Sequence, residues 1–178
     1  MRKIFIDGGA RTGESFEIIQ RDLPEYSTFE VILFEPNPIH KEPLEALAKE
    51  KNCTFVNGAI WNATGEADFF IAVDIYGDQG STLYSDKQER LDRENPIKVK
   101  TYDIVDILSE FTEEDYVVLK LDVEGSEYDI LQRLVDTNNL SKVKEYVIEW
   151  HDQFYPNRDR MPLISEIEKH SIYKTWMY

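Results

Sequence analysis

Sulfur chemistry is almost absent from this sequence. Its 178 residues include one cysteine, Cys53, which excludes an intrachain disulfide and a zinc site built from cysteines. A reducing, cytoplasmic setting is the simplest fit to that. No apolar run approaches the roughly 20 residues that a membrane span needs. The N-terminal MRKIFIDGG has too short an apolar stretch for a signal peptide and runs directly into a glycine turn. Basic residues are scarce, 20 against 35 acidic ones, for a net charge of −15. A field of that sign repels phosphate backbones and anionic lipid surfaces, which argues against a nucleic-acid or membrane partner. Repeats, low-complexity tracts and long linkers are missing too. The chain therefore reads as a single domain over 1–178, with 42% hydrophobic residues to build its core.

What is present is an alternation of strand and helix patterns. Lys3–Asp7 predicts a buried strand ending in the turn GGARTG, and Glu14–Arg21 a helix closed by Pro24. Glu30–Phe34 predicts the second strand. Asn37-Pro38 opens a helix to about Lys51 with Leu44, Leu47 and Ala48 inward, and Thr54–Asn57 is the third strand. Ala67–Asp74 and Ile97–Tyr102 predict an inserted strand pair. Between them, 77–95 is polar and long enough to be read as a mobile lid bordering an acceptor pocket. The alternation then resumes with a helix at Val105–Leu108, a strand at Tyr116–Leu121 and a helix at Ser126–Val135. A strand at Glu145–Trp150, a helix at Pro162–His170 and a short last strand at Ile172–Met177 complete it. Near-continuous apolar strands joined by helices predict an α/β fold: a doubly wound, mostly parallel, Rossmann-like sheet with helices on both faces.

Ligands in such sheets bind beyond the carboxyl ends of the strands. The first strand is followed by Asp7-Gly8-Gly9-Ala10-Arg11-Thr12-Gly13, where glycines let backbone N–H groups approach a ligand at a helix N-terminus. Glu35 ends the second strand, 22 residues past Gly13, placed to accept hydrogen bonds from both hydroxyls of an adenosine ribose. The Tyr116–Leu121 strand leads into Asp122-Val123-Glu124-Gly125-Ser126-Glu127, three carboxylates within six residues. Charges there are costly unless paired or used, or else serve as helix caps, Ser126 or Asp122 capping and Glu127 in the first turn. Glu149-Trp150-His151-Asp152 ends the next strand, and a histidine facing the cleft can act as a general base. His40 and His170 have no companions and read as surface residues.

The segments FIDGGARTGES, VILFEPNP, VNGAIWNATGEADFF, GSTL, KTYDIVDIL, LKLDVEGSEYDIL and VIEWH occur in an order that resembles the FkbM-type methyltransferase family, over Phe5 to about His151. The resemblance implies a class I S-adenosylmethionine-dependent methyltransferase acting on oxygen of sugars or polyketide-like products. It implies that Asp7, Gly9 and Gly13 cradle the methionine end of the cofactor, that Glu35 holds the ribose, that Asn57 to Ile60 border the adenine and that Asp122 closes the site. With Gly8, Arg11, Thr12 and Ser15 from the turn, Pro36 beside Glu35 and Ala59 beside Asn57, these form the expected cofactor set. Ser81 and Thr82 match a serine-rich family segment near the cleft. The family usually has Asn where this chain has Arg11. The chain starts almost at its first strand, and the family's usual final strand is expected to be missing.

The leading expectation is O-methylation of a hydroxyl on a sugar or other small polar acceptor, with no metal among the site residues. His151, with an ordinary pKa of about 6.5, is the first choice as base, ahead of Glu124 and Asp122. Two other functions stay open at this point. A nicotinamide-dependent oxidoreductase would use the same turn and acid, and a non-catalytic cofactor-binding domain would keep the fold without the chemistry.

Overall fold

A run such as Ile4-Phe5-Ile6 leaves no face of a strand for water, so it must be covered on both sides. In the computed structural model, which describes residues 1–73 and 77–176, all three are fully buried and point alternately into two separate cores. The strand is β1, Lys3–Gly8. It is followed by α1 (Glu14–Asp22), β2 (Glu30–Phe34), α2 (Lys41–Lys51) and β3 (Thr54–Val56). After an insertion containing β4 (Ala59–Trp61), β5 (Gly65–Phe69) and β6 (Ile97–Asp103) come α3 (Ile104–Ser109) and β7 (Tyr116–Leu121). The chain ends with α4 (Glu127–Asp136), β8 (Glu145–Ile148), α5 (Met161–Glu168) and β9 (Ile172–Thr175).

The main sheet runs β3-β2-β1-β7-β8-β9, with every neighbouring pair parallel. Phe5, Leu33, Val118 and Val147 face one core, where Phe16 and Ile19 of α1 and Leu44 of α2 cover them. Ile4, Ile6, Leu119 and Ile148 face the other, under Leu108 of α3, Leu131 and Leu134 of α4 and Ile167 of α5. Each such side chain contributes roughly 1.5–3 kcal/mol on burial. The strand order reverses between β1 and β7, whose ends meet at Gly8 and Leu121. There the loops after the two strands part and leave a crevice. No helix among the described residues is long and apolar enough to cross a membrane.

The expected inserted strand pair is present as β5 antiparallel to β6, and β4, parallel to β6, joins it in a separate three-stranded sheet, β4-β6-β5. The three residues of β4 are too few for periodicity to announce them, and only their pairing with Thr101–Asp103 makes them a strand. The strand expected over Ala67–Asp74 leaves the ladder at Phe69. Beyond it single bridges, Phe70 to Thr82 and Ala72 to Leu91, tie it to the following segment. Asp74 and Met177, where two expected strands were placed to end, lie outside the described residues. The helix expected from Pro38 begins as a 3-10 turn over Pro38–His40, with Asn37 accepting the Ile39 N–H at 3.3 Å, and becomes α-helical at Lys41.

Candidate active site

Three strand ends are laced together at the floor of the crevice. The Gly8 carbonyl accepts the Asp122 N–H at 3.1 Å, and the Gly9 and Ala10 N–H groups both donate to the Phe34 carbonyl, at 3.1 and 3.0 Å. Gly9 has φ of +82°, and a Cβ there would sit 1.8 Å from the Asp122 carbonyl oxygen. Glycine is thus required for β1 and β7 to approach. The amides of Gly9 and Ala10, with those of Arg11 and Gly13, are spent inside the protein, so these four do not face a ligand in this arrangement. Gly13, at φ of +87°, brings α1 against α2, where a Cβ would meet Leu47 at 2.4 Å. Arg11 has φ of +45°, a region that Asn occupies more readily than Arg.

A cavity of about 320 Å³ opens above this floor. Of the expected cofactor set, Gly9, Arg11, Ser15, Glu35, Pro36, Ala59 and Asp122 line it. Asp7, Gly8, Thr12, Gly13 and Asn57 are outside the lining. Buried Asp7 instead accepts the Ser15 hydroxyl and pairs with fully buried Lys120 at 3.0 Å, so it stands one layer behind the wall. Thr12 is exposed. Asn57 donates from Nδ2 to the Glu35 carbonyl at 2.9 Å and fixes the end of β2 from below. Glu35 receives the Arg11 N–H on Oε2 at 2.8 Å and the Asn37 N–H on Oε1 at 2.7 Å. Burial raises its pKa against those two donors.

At the other end of the cavity, charges of alternating sign form a chain. Lys87, with its side chain fully buried, donates to Glu124 Oε2 at 2.7 Å. Glu124 lies 3.2 Å from His151 Nε2, and His151 Nδ1 lies 2.7 Å from Glu127, whose other oxygen accepts the Gly125 N–H at 2.8 Å. The helix cap thus comes from Glu127 reaching back; Ser126 makes no side-chain cap. Asp122 Oδ1 is 3.8 Å from His151 Nε2, and Asp122 Oδ2 is 3.6 Å from Lys120.

This arrangement bears directly on the choice of His151 as general base. Burial alone would lower its pKa, but hydrogen bonds and charges of Glu124 and Glu127 outweigh that and raise it to about 11. At neutral pH the ring is a cation with no lone pair to accept a proton. It is also 3% exposed and lies outside the cavity lining. Burial likewise works to raise Glu124, yet His151 and Lys87 hold its carboxyl below the usual range. Burial raises Asp122 in spite of Lys120 and His151. Glu149, considered in the sequence only as a neighbour of His151, lines the cavity, and burial and then Asp122 push it up to about 7. Its position at a strand's carboxyl end is the sequence signal for it, and the histidine two residues on masks that signal.

Among the described residues, Asp122, Glu149 and His151 are the one group whose donor atoms come within 4.8 Å of one another. In this arrangement His151 Nδ1 faces the Glu127 carboxylate and Nε2 faces that of Glu124.

The polar segment after Gly77 is tied to the rest of the fold at several points. Asp78 Oδ2 lies 2.5 Å from His40 Nε2 and accepts from Asn37 Nδ2 at 2.9 Å, while Arg11 approaches Oδ1 at 3.5 Å. The Thr82 hydroxyl donates to the Glu124 carbonyl at 2.7 Å. Lys87 also donates to the Gly80 carbonyl at 2.8 Å and lies 4.5 Å from the centre of the Phe154 ring. A lysine in a polar stretch gives no sequence sign of this; only the fold brings it under Glu124. Ser81 lines the cavity, so the segment forms part of its wall.

A family profile described as "Methyltransferase FkbM domain" matches residues 7–171. Among solved structures the chain is similar to methyltransferase FkbM from Methylobacillus flagellatus KT, with a TM-score of 0.55 and 18% identity. The likeness covers 96% of this chain and 38% of that one. At that identity it bears on the fold alone. No curated protein gives a significant match.

Proposed function

The chain belongs to the FkbM methyltransferase family, and from that premise we propose that it moves a methyl group from S-adenosylmethionine to a hydroxyl of a sugar or another small polar acceptor. The observation that carries this reading is Glu35. Each of its oxygens takes one backbone N–H and keeps a second lone-pair direction free, in a carboxylate that lines the crevice at the switch point. That is the donor–acceptor pattern a pair of ribose hydroxyls needs. Ala59, Ile60 and Phe69 supply apolar wall for a purine, and Asp122 supplies a negative group for the ammonium of the methionine end. The cavity volume is at the lower end of the range for small-molecule sites. When bound, the cofactor supplies a methyl carbon made electrophilic by the sulfonium. The chain's task is to hold the acceptor oxygen in line with that carbon, an effect that contributes up to about 7–11 kcal/mol to the barrier.

Glu35→Ala removes the ribose contacts. Hydrogen bonds to a charged group are worth about 1.5–3 kcal/mol, so affinity for S-adenosylhomocysteine should fall roughly tenfold or more in calorimetry. Unchanged affinity would remove Glu35 from the cofactor site. A chain that preferred NADH over S-adenosylhomocysteine in the same experiment would favour the oxidoreductase reading. The net charge of −15 leaves duplex DNA and RNA without counterion release to drive binding. Gel shifts at physiological salt should show no complex; salt-sensitive micromolar binding would contradict this.

A further inference from the structure

Three carboxylates line the same end of the cavity, Asp122, Glu124 and Glu149, and they differ in what holds them. Glu124 is pinned between Lys87 and His151 and stays an anion. Asp122 lies between Lys120 and His151, and its backbone N–H is tied to Gly8. Glu149 is different. Its N–H donates to the Leu121 carbonyl at 2.9 Å, which sets the residue at the mouth between β7 and β8. The residue lines the cavity, and its carboxylate feels its charged neighbours among the described residues through space, with no side-chain hydrogen bond among the causes that shift it. One of its oxygens lies within 4.8 Å of an Asp122 oxygen and of a His151 nitrogen.

We propose that Glu149 is the residue that takes the proton from the acceptor hydroxyl, while Lys87, Glu124, His151 and Glu127, bonded to one another, hold the wall around it. This rests on the methyl-transfer reading above. The acceptor oxygen gives a lone pair to the methyl carbon and its proton to Glu149. The carbon–sulfur bond breaks with its electron pair remaining on sulfur. The products are a methyl ether, a neutral thioether and protonated Glu149, which returns its proton to water. A base must be unprotonated and still willing to hold a proton near the working pH, and it must touch the acceptor. His151 is already a cation and lies behind the wall, and Glu124 is stabilised as an anion by two cations. The charged groups facing Glu149 are Asp122 and Lys120 from β7 and its exit, Glu124 from the same loop, and His151 from its own strand end. Burial and the repulsion of Asp122 and Glu124 exceed the attraction of Lys120 and His151, leaving it near 7.

The test uses the full chain and has three readouts. With glutamate carboxyls labelled with ¹³C, one resonance should titrate near neutrality and be missing from Glu149→Gln; the absence of any such resonance overturns the proposal. Stability should report the same proton. An acid whose folded pKa is raised contributes stability below its unfolded value, about 4.3, that is lost as pH rises through the folded value. Glu149→Gln should therefore melt progressively higher than wild type from about pH 5 to pH 8, and a constant difference counts against the proposal. Methyl transfer to a panel of methyl glycosides reads the chemistry. Glu149→Gln should lose about 10²–10⁴-fold in turnover with S-adenosylhomocysteine affinity within about twofold, and turnover at the wild-type rate overturns the proposal. A wild type that binds S-adenosylhomocysteine but methylates none of the panel refutes the acceptor class, and the carboxyl titration then decides on Glu149 by itself. A wild type that does not bind it refutes the cofactor reading.

Discussion

His151→Ala should destabilise the protein by about 3–5 kcal/mol at pH 7, the range for removing one partner from a buried charge pair. The ring lies between Glu124 at 3.2 Å and Glu127 at 2.7 Å, and its backbone N–H also donates to Glu127 at 3.2 Å. Without the imidazolium, two carboxylates in the interior face each other across a cavity, with Lys87 as the cation still bonded to Glu124. The effect should carry a pH signature. The folded pKa of about 11 lies above the unfolded value of about 6.5, so the stabilisation is complete below about 6.5 and is lost as pH rises through about 11. The gap between wild type and variant should narrow from pH 7 to pH 11. Urea melts at several pH values measure both features. Equal midpoints at pH 7 would show that the network does not hold its charges as described. His151→Gln, which keeps a hydrogen-bonding group but not the charge, should fall between the two.

Gly9→Ala should cost about 4 kcal/mol or more, enough to prevent folding or to erase the crevice. The added methyl would lie 1.8 Å from the Asp122 carbonyl oxygen, a backbone atom that no rotamer change can move aside. Relief requires the ends of β1 and β7 to separate. That in turn breaks the Gly8 to Asp122 bond and strains the Gly9 to Phe34 bond. Gly77→Ala is the internal control. Its φ of +80° matches that of Gly9, but a Cβ there meets nothing within 4 Å among the described residues, so it should cost only the conformational penalty of about 1–2 kcal/mol. Thermal melts of both variants, with S-adenosylhomocysteine binding for whichever folds, separate the clash from the backbone strain. Two variants of equal stability would mean that the strand ends are not held as close as described.

The parallel sheet was legible because its signal is local. Ile4-Phe5-Ile6 and Val117-Val118-Leu119 have no polar side, so each dictates a strand covered on both faces whatever surrounds it. The strand ends followed from the same logic, since crevices in such sheets form at the carboxyl ends, and Gly9, Glu35 and Asp122 do line one cavity. Hydrogen-bond and ion-pair partners are distant in sequence. Lys87 and Glu124 are 37 residues apart and His151 and Glu127 are 24 apart, and nothing in either segment announces the other. Residue type pointed to His151 as the base because an isolated histidine titrates near neutrality. The fold placed it between two carboxylates and left Glu149 as the acid poised near 7. Sequence by itself determined the alternation and the sheet, and with them which strand ends border one cavity. The tertiary structure alone decided which of its charged groups carries a proton, because that depends on desolvation and on charges a few ångströms away, and no sequence pattern contains those distances.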